Sequence, residues 1–158
     1  MILRAATAAD AGAIAAIWNR EIRDGVSTFN TVEKELGALK AAIASEGVFL
    51  VAEEASEVVG FATFGPFRGG PGYAQTMEHT VYLAEAARGK GAGRALMAAL
   101  EAAAKDRGVH VLVAGVGGEN SAGIAFHKAM GFVEVGRMPE VGRKFERWMD
   151  LVLLQKRL

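Results

Sequence analysis

Arg88-Gly89-Lys90-Gly91-Ala92-Gly93 joins a strand-like run, Gln75 to Leu83, to the strongest helical pattern in the chain. Within residues 91–107, Ala92, Ala95, Leu96, Ala99, Leu100 and Ala103 recur at i, i+3, i+4, i+7, i+8 and i+11, which is one face of a helix. Lys105 and Arg107 suit its C-terminal end and Gly108 its cap. His110 to Ala114 then reads as a strand, so one strand-helix-strand crossover spans 75–114. Glycines at the junction let backbone approach a ligand closely. The N–H groups of a first helical turn have no internal partners, and with the helix dipole they form an anion site suited to phosphate. Arg88, Lys90 and Arg94 add positive charge around it. The plainer alternative is a glycine-rich turn with solvated basic side chains.

Outward from this junction, Met1 to Ala5 reads as a short first strand. Thr7 and Asp10 have the spacing of a capping box, and Ala11, Ile14, Ala15, Trp18 and Ile22 make residues 8–24 an amphipathic helix ending at Gly25. A second helix is expected from Thr31 to about Ser45, with Glu33 and Glu35 near its positive end. Val48 to Glu53 and Val58 to Phe64 form a hairpin. Residues 65–73 hold four glycines and two of the three prolines, so they form a loop. Residues 120–129 read as a short helix, 131–137 as a strand and 145–154 as the last strand. The order β-α-α-β-β-β-α-β-α-β-β predicts a single domain over 1–158, a mixed sheet with helices on both faces.

Composition narrows the function. The chain has 158 residues, with 18 basic and 18 acidic side chains. Zero net charge and a pI near 6.8 argue against nucleic acid and an anionic membrane. No stretch approaches the roughly 18 apolar residues of a membrane helix, and no secretory signal is read, so cytoplasm is the expected location. There is no cysteine, which excludes disulfides and thiolate nucleophiles. His79, His110 and His127 are scattered, so no metal is expected. The 20 glycines exceed the usual share of about 7%. They do not build a P-loop, because Gly89-Lys90 is followed by Gly91 rather than a hydroxyl residue. A dinucleotide fingerprint also fails, because Leu96 occupies its third glycine position.

Arg88, Gly91 and Gly93 instead fill the pattern Arg/Gln-x-x-Gly-x-Gly/Ala, and Asn120, Gly123, His127, Gly131 and Phe132 follow about 30 residues on. Asn120 is a good N-cap, and Asn120, Gly123 and His127 share one face of a short helix. Together these runs resemble the pyrophosphate loop and the Asn-x-x-Ala/Ser-x-x-x-Tyr-x-x-x-Gly-Phe motif of the GCN5-related N-acetyltransferases (GNAT). Met77-Glu78-His79-Thr80-Val81-Tyr82-Leu83 is similar to the corresponding strand of the phosphinothricin and methionine sulfoximine acetyltransferase branch. Ile17-Trp18-Asn19 and the run Val141 to Asp150 extend the resemblance over nearly the whole chain, with Glu146 where the branch has glycine.

The resemblance implies a mixed, mostly antiparallel GNAT sheet and direct acetyl transfer from acetyl-CoA to an amine. It implies a coenzyme site at Val81, Tyr82, Leu83, Arg88, Gly89, Lys90, Gly91, Ala92, Gly93, Arg94 and Asn120. Glu78 is implied as general base, which an ammonium acceptor needs before it can attack. His127 stands at the family's tyrosine position and is the second candidate catalytic residue. A solvated strand carboxylate and a capping histidine are the alternatives for these two. By strand alternation His79 falls on the face opposite Glu78 and reads as structural. Phe29, Arg68, Gly72 and Tyr73 are candidates for the acceptor site, Arg68 as an anion fork unless it is only a solvated loop cation. A homodimer is expected through 143–148, where Phe145 and Trp148 could otherwise cover their own sheet. The acceptor implied is a small amino-acid analogue. Protein N-termini and a non-catalytic acetyl-CoA sensor are the rival readings.

Overall fold

The computed structural model describes residues 1–45 and 47–158. Seven strands form one sheet: β1 Ile2–Ala5, β2 Val48–Glu54, β3 Glu57–Pro66, β4 Thr76–Leu83, β5 Val111–Gly117, β6 Val133–Lys144 and β7 Arg147–Arg157. The helices are α1 Ala11–Asp24, α2 Leu36–Ala44, α3 Ala92–Asp106 and α4 Ser121–Ala129. Strand order is β1-β2-β3-β4-β5-β7-β6. β4 and β5, joined by the α3 crossover, are parallel, and the remaining neighbours are antiparallel.

Strand alternation sorts the side chains onto two helix layers. On one face Leu96, Met97, Leu100 and Ala104 of α3 and Ile124 of α4 pack against Ala52, Ala62, Leu112, Ala114, Val116, Val152 and Leu154. On the other, Ala11, Ile14 and Ala15 of α1 and Leu39 and Ile43 of α2 cover Val51 and Phe61. Trp18 and Tyr82 extend that layer, their rings 4.9 and 5.9 Å from that of Phe61. Both layers are needed, because each face of the sheet is apolar along its central strands.

The ladder between β4 and β5 is short. Thr76, Met77 and Glu78 pair with Val111, Leu112 and Val113, and beyond that point the two strands part. β4 stays paired to β3 as far as Leu83, and β5 to β7 as far as Gly117. The sheet is therefore split on one side from Glu78 onward.

Several boundaries differ from the sequence reading. α2 begins at Leu36 rather than Thr31, because the Glu35 carboxylate accepts from the Gly37 and Ala38 N–H groups at 2.9 and 2.8 Å and caps the helix there. Asn19 pins the preceding loop through both polar atoms of Lys34's backbone. β6 runs on to Lys144 rather than ending at 137. Its register shifts between Met138 and Gly142, with Glu140 at φ +57°, which carries the strand past Pro139. β5 and β7 also extend three residues beyond the ranges expected for them, to Gly117 and Arg157. At the start of α1, residues 8–10 form a 3₁₀ turn. The Asp10 carboxylate accepts from the Thr7 N–H at 2.7 Å and is clamped by Arg4, which holds it down at about 2.

Candidate active site

The split opens into a groove of about 830 Å³. One end is built by Arg88, Gly89 and Gly93, the middle by Val81–Leu83 and Ala114–Val116, and the far end by Glu78, Gly65, Pro66 and residues 25–28 after α1. At the first end α3 begins at Ala92 with Gly91 as its N-cap. Gly89 and Gly91 have φ of +75° and +89°, conformations that L side chains adopt only with strain. Among the described residues, none beyond their chain neighbours comes within 4 Å of where their Cβ atoms would be, so the turn presents bare backbone at the groove's end. The Arg88 guanidinium stands 3.6 Å from the Glu21 carboxylate of α1.

Glu78 lies where the β4–β5 ladder stops. Gly115 of β5 makes room for it: a Cβ there would come within 2.8 Å of the Glu78 carboxylate. The Glu78 side chain is reached by solvent along the groove, yet protein closes around it enough that desolvation raises its pKa above the usual carboxylate value. Tyr82, two turns of the pleat away on the same face, is raised further by its deeper burial, with Glu21 and Glu78 adding to the effect.

His127 reaches the groove from the other face, on α4. Asn120 caps this helix, accepting from the Gly123 N–H at 3.0 Å and donating to the Ser27 hydroxyl at 2.9 Å. A Cβ at Gly123 would sit 2.4 Å from the Asn120 amide as that side chain is placed, so Ala or Ser here would shift the Asn120 side chain. Both His127 nitrogens are engaged inside the protein: Nδ1 with the Gly123 carbonyl at 2.7 Å, Nε2 with Nε2 of His79 at 2.9 Å. Glu78 and His127 thus flank the split from opposite faces. Pairing of His79 with His127 was not foreseen from sequence; the available signal was that His79 alternates onto the face that α4 covers.

Lys144 is a second residue that sequence reasoning did not single out for its position. It is 4% exposed, and its ammonium donates to the Glu21, Gly25 and Thr28 carbonyls at 3.2, 2.6 and 3.0 Å. Desolvation lowers its pKa. The β6–β7 hairpin is thereby tied to the segment that forms the groove wall.

The remaining expected residues are placed as follows. Val81, Tyr82, Leu83, Arg88, Gly89, Gly93 and Asn120 line the groove, while Lys90, Gly91, Ala92 and Arg94 belong to the adjoining turn and first helical turn. Phe29 packs on Gly142 and Gly117 behind the groove wall. Arg68, Gly72 and Tyr73 stand on the exposed loop beyond Pro66, with the Arg68 guanidinium 5.4 Å from the Tyr73 ring centre. These four are not among the groove-lining residues. Phe145 and Trp148 are exposed at the hairpin end, Trp148 under the Arg143 guanidinium. No group of three metal-ligating side chains is gathered among the described residues, and no described helix is long and apolar enough to cross a membrane.

A split parallel pair, a glycine turn opening α3 and a capped α4 together build the groove. Residues 14–132 match the acetyltransferase (GNAT) family. The chain belongs to this family. Among GNAT relatives, the L-methionine sulfoximine/L-methionine sulfone acetyltransferase of Salmonella typhimurium is 39% identical, covering 100% of this chain and 95% of the relative. A ribosomal-protein-alanine N-acetyltransferase structure from Brucella melitensis superposes with a TM-score of 0.94 at 41% identity, covering 100% of both chains. A phosphinothricin acetyltransferase structure from Sinorhizobium meliloti, in complex with acetyl-CoA, gives a TM-score of 0.92 at 33% identity, covering 99% of this chain and 88% of the other. The protein is an acetyl-CoA-dependent N-acetyltransferase of the GNAT type, related to the methionine sulfoximine and phosphinothricin acetyltransferases.

Proposed function

We propose that this GNAT enzyme acetylates the α-amino group of a small amino-acid analogue of the phosphinothricin, methionine sulfoximine or methionine sulfone type, with Glu78 as general base. The observation that carries this reading is Glu78 itself, a carboxylate of raised pKa at the point where the sheet opens, in the same groove as the α3 turn. The family strand run and the named relatives support the acceptor class.

The chain's own groups fit acetyl-CoA. Free N–H groups at the start of α3, bare backbone at Gly89 and Gly91, and Arg88 suit a pyrophosphate. The unpaired edges of β4 and β5 beyond Glu78 offer backbone donors and acceptors to an extended amide-bearing arm and to a thioester carbonyl. When bound, acetyl-CoA supplies the activated acetyl group. Glu78 takes a proton from the acceptor ammonium, directly or through one water, and leaves the nitrogen lone pair free to attack. A thiolate leaving group of ordinary acidity, near ~8.5, needs no dedicated acid.

The loop 67–75 forms the acceptor-side rim in this reading, with Arg68 and Tyr73 available to an anionic acceptor group and Phe29 supporting the wall behind Thr28. Two copies pair through the exposed Phe145 and Trp148. Sedimentation at micromolar concentration is expected to give twice 16.6 kDa. A 16.6 kDa species alone would reject the dimer.

Thiol release from acetyl-CoA, measured against phosphinothricin, methionine sulfoximine, methionine sulfone and an alanine-ended peptide, tests the function. Turnover is expected with one or more of the three analogues. Turnover with the peptide alone would move the acceptor class to protein N-termini.

A further inference from the structure

The contact between His79 and His127 fixes where their protons sit. His127 Nδ1 faces the Gly123 carbonyl oxygen at 2.7 Å, and a carbonyl only accepts, so Nδ1 carries a proton. A neutral imidazole has one N–H, so Nε2 of His127 is a lone pair. The proton in the 2.9 Å contact between the rings therefore belongs to Nε2 of His79. Nδ1 of His79 is then a bare lone pair, and it is the buried nitrogen without a hydrogen-bond partner. The opposite tautomer of His79 would set the two Nε2 lone pairs against each other at 2.9 Å, which costs more.

The surroundings keep the pair uncharged. Each histidine is 7% exposed. Phe132 packs on both rings at 5.2–5.3 Å, and Phe126 meets His127 edge-on at 5.2 Å. Desolvation pushes His79 down to about 3, with His127 adding to the effect, and lowers His127 as well. The Val113 and Gly123 carbonyls oppose this without overcoming it, and the Val113 carbonyl completes no hydrogen bond with Nδ1 of His79. Among the described residues no acid compensates: Glu78 lies on the opposite face of β4, and Lys128, next on α4, turns outward to Glu134.

We propose that His79 is a positioning residue of the acetyl-transfer site: by donating its Nε2–H to His127 it locks that ring in the Nδ1–H tautomer, keeps it neutral and leaves the acceptor's proton to Glu78. This rests on the function proposed above. An imidazole with a free Nε2 at this place would compete for protons more readily than the paired ring, and as a cation beside the groove it would repel an ammonium acceptor.

The test uses the full-length protein labelled with ¹⁵N at histidine, together with His79→Phe and His79→Gln. In the wild type, His127 is expected to show the neutral Nδ1–H tautomer at pH 7. In His79→Phe the Nε2 of His127 loses the donor that favours its neutral form, so it is expected to take up a proton at higher pH than in the wild type, while its burial is retained. The acidic limb of kcat/KM would then steepen from a slope of one toward two. The Gln side chain keeps an N–H donor and is expected to preserve both the tautomer and the single slope. A wild-type His127 in the Nε2–H tautomer, or protonated at pH 7, overturns the proposal. So does a folded His79→Phe whose His127 spectrum and pH profile are unchanged. The wild-type spectrum decides even where the Phe variant does not fold. Absence of wild-type thiol release with every acceptor would reject the function instead, and leaves the tautomer measurement standing.

Discussion

The chain has two glycine-rich loops, and they do different things. Residues 67–75, which begin later than the loop expected at 65–73 because β3 takes in Gly65 and Pro66, contain Gly69, Gly70 and Gly72 with Arg68. Residues 88–93 contain Gly89, Gly91 and Gly93 with Arg88. In the first, only Gly70 has a positive φ, and the loop from Arg68 to Tyr73 lies exposed beyond the groove. In the second, two of three glycines are left-handed, and the loop opens a 15-residue helix at the groove's end. Glycine content alone does not mark a ligand site. What marks one is left-handed backbone leading straight into unpartnered helix N–H groups.

The comparison breaks most severely if catalytic power resides in either loop rather than in the strand between them. Glu78→Gln is therefore expected to have the largest effect, lowering kcat by roughly 10²–10⁴-fold at neutral pH. The base works only when deprotonated, and its folded pKa is raised. Wild-type activity should thus fall as pH drops through a value above the ordinary carboxylate range, and the Gln variant should lose that limb. A wild-type rate in Glu78→Gln removes it from the mechanism. Next comes Gly91→Val. A β-branched residue at φ +89° is strained, and its methyl groups would occupy the bare backbone surface. Roughly a 10-fold or greater rise in the KM for acetyl-CoA is expected, read by steady-state kinetics with acceptor saturating. Unchanged KM in the folded variant would remove the pyrophosphate role from this turn.

Arg68→Ala probes the first loop and should do less. An exposed ion pair contributes about 0.2–1 kcal/mol, so the KM of an anionic acceptor should rise by no more than about 5-fold, with acetyl-CoA unaffected. A larger rise would mean that the loop buries Arg68 against the acceptor. The smallest effect sharpens the rule about backbone. In the β6–β7 turn Phe145 and Glu146 hold φ of +54° and +61° without any glycine. Glu146→Gly should relieve strain and raise stability by about 1 kcal/mol, or ~2–4 °C in Tm. An unchanged or lower melting temperature would refute it.

Local signals explain what could be read in advance. The α3 periodicity, the alternation along β4 and the short polar turn between Glu53 and Val58 each depend on residues within a few positions, and each is present within a residue or two of where it is expected. Sequence alone starts α2 too early because Thr31 and Glu35 both offer capping chemistry, and the Glu35 cap together with the Asn19 contacts on Lys34 decides between them. The full length of β6 depends on β7, which supplies pairing past Pro139. The site shows the same division. Glu78 and Asn120 were legible from their motifs, whereas the link from His79 to His127 crosses 48 residues. Lys144 reads as a surface cation until the carbonyls at the end of α1, more than a hundred residues earlier, are brought to it.

The divergence of β4 from β5 leaves two facing rows of backbone groups in want of a strand. A ligand that fills the seam with amides of its own finishes the sheet as a further strand would, so occupancy and folding become one equilibrium. A ligand held only by the native state at 100 times its Kd adds about 2.7 kcal/mol to stability. For a chain of this length that is a rise of ~5–10 °C in melting temperature. In a cell the coenzyme supply would then also set how long the enzyme survives proteolysis, with the acetyl donor acting as its chaperone.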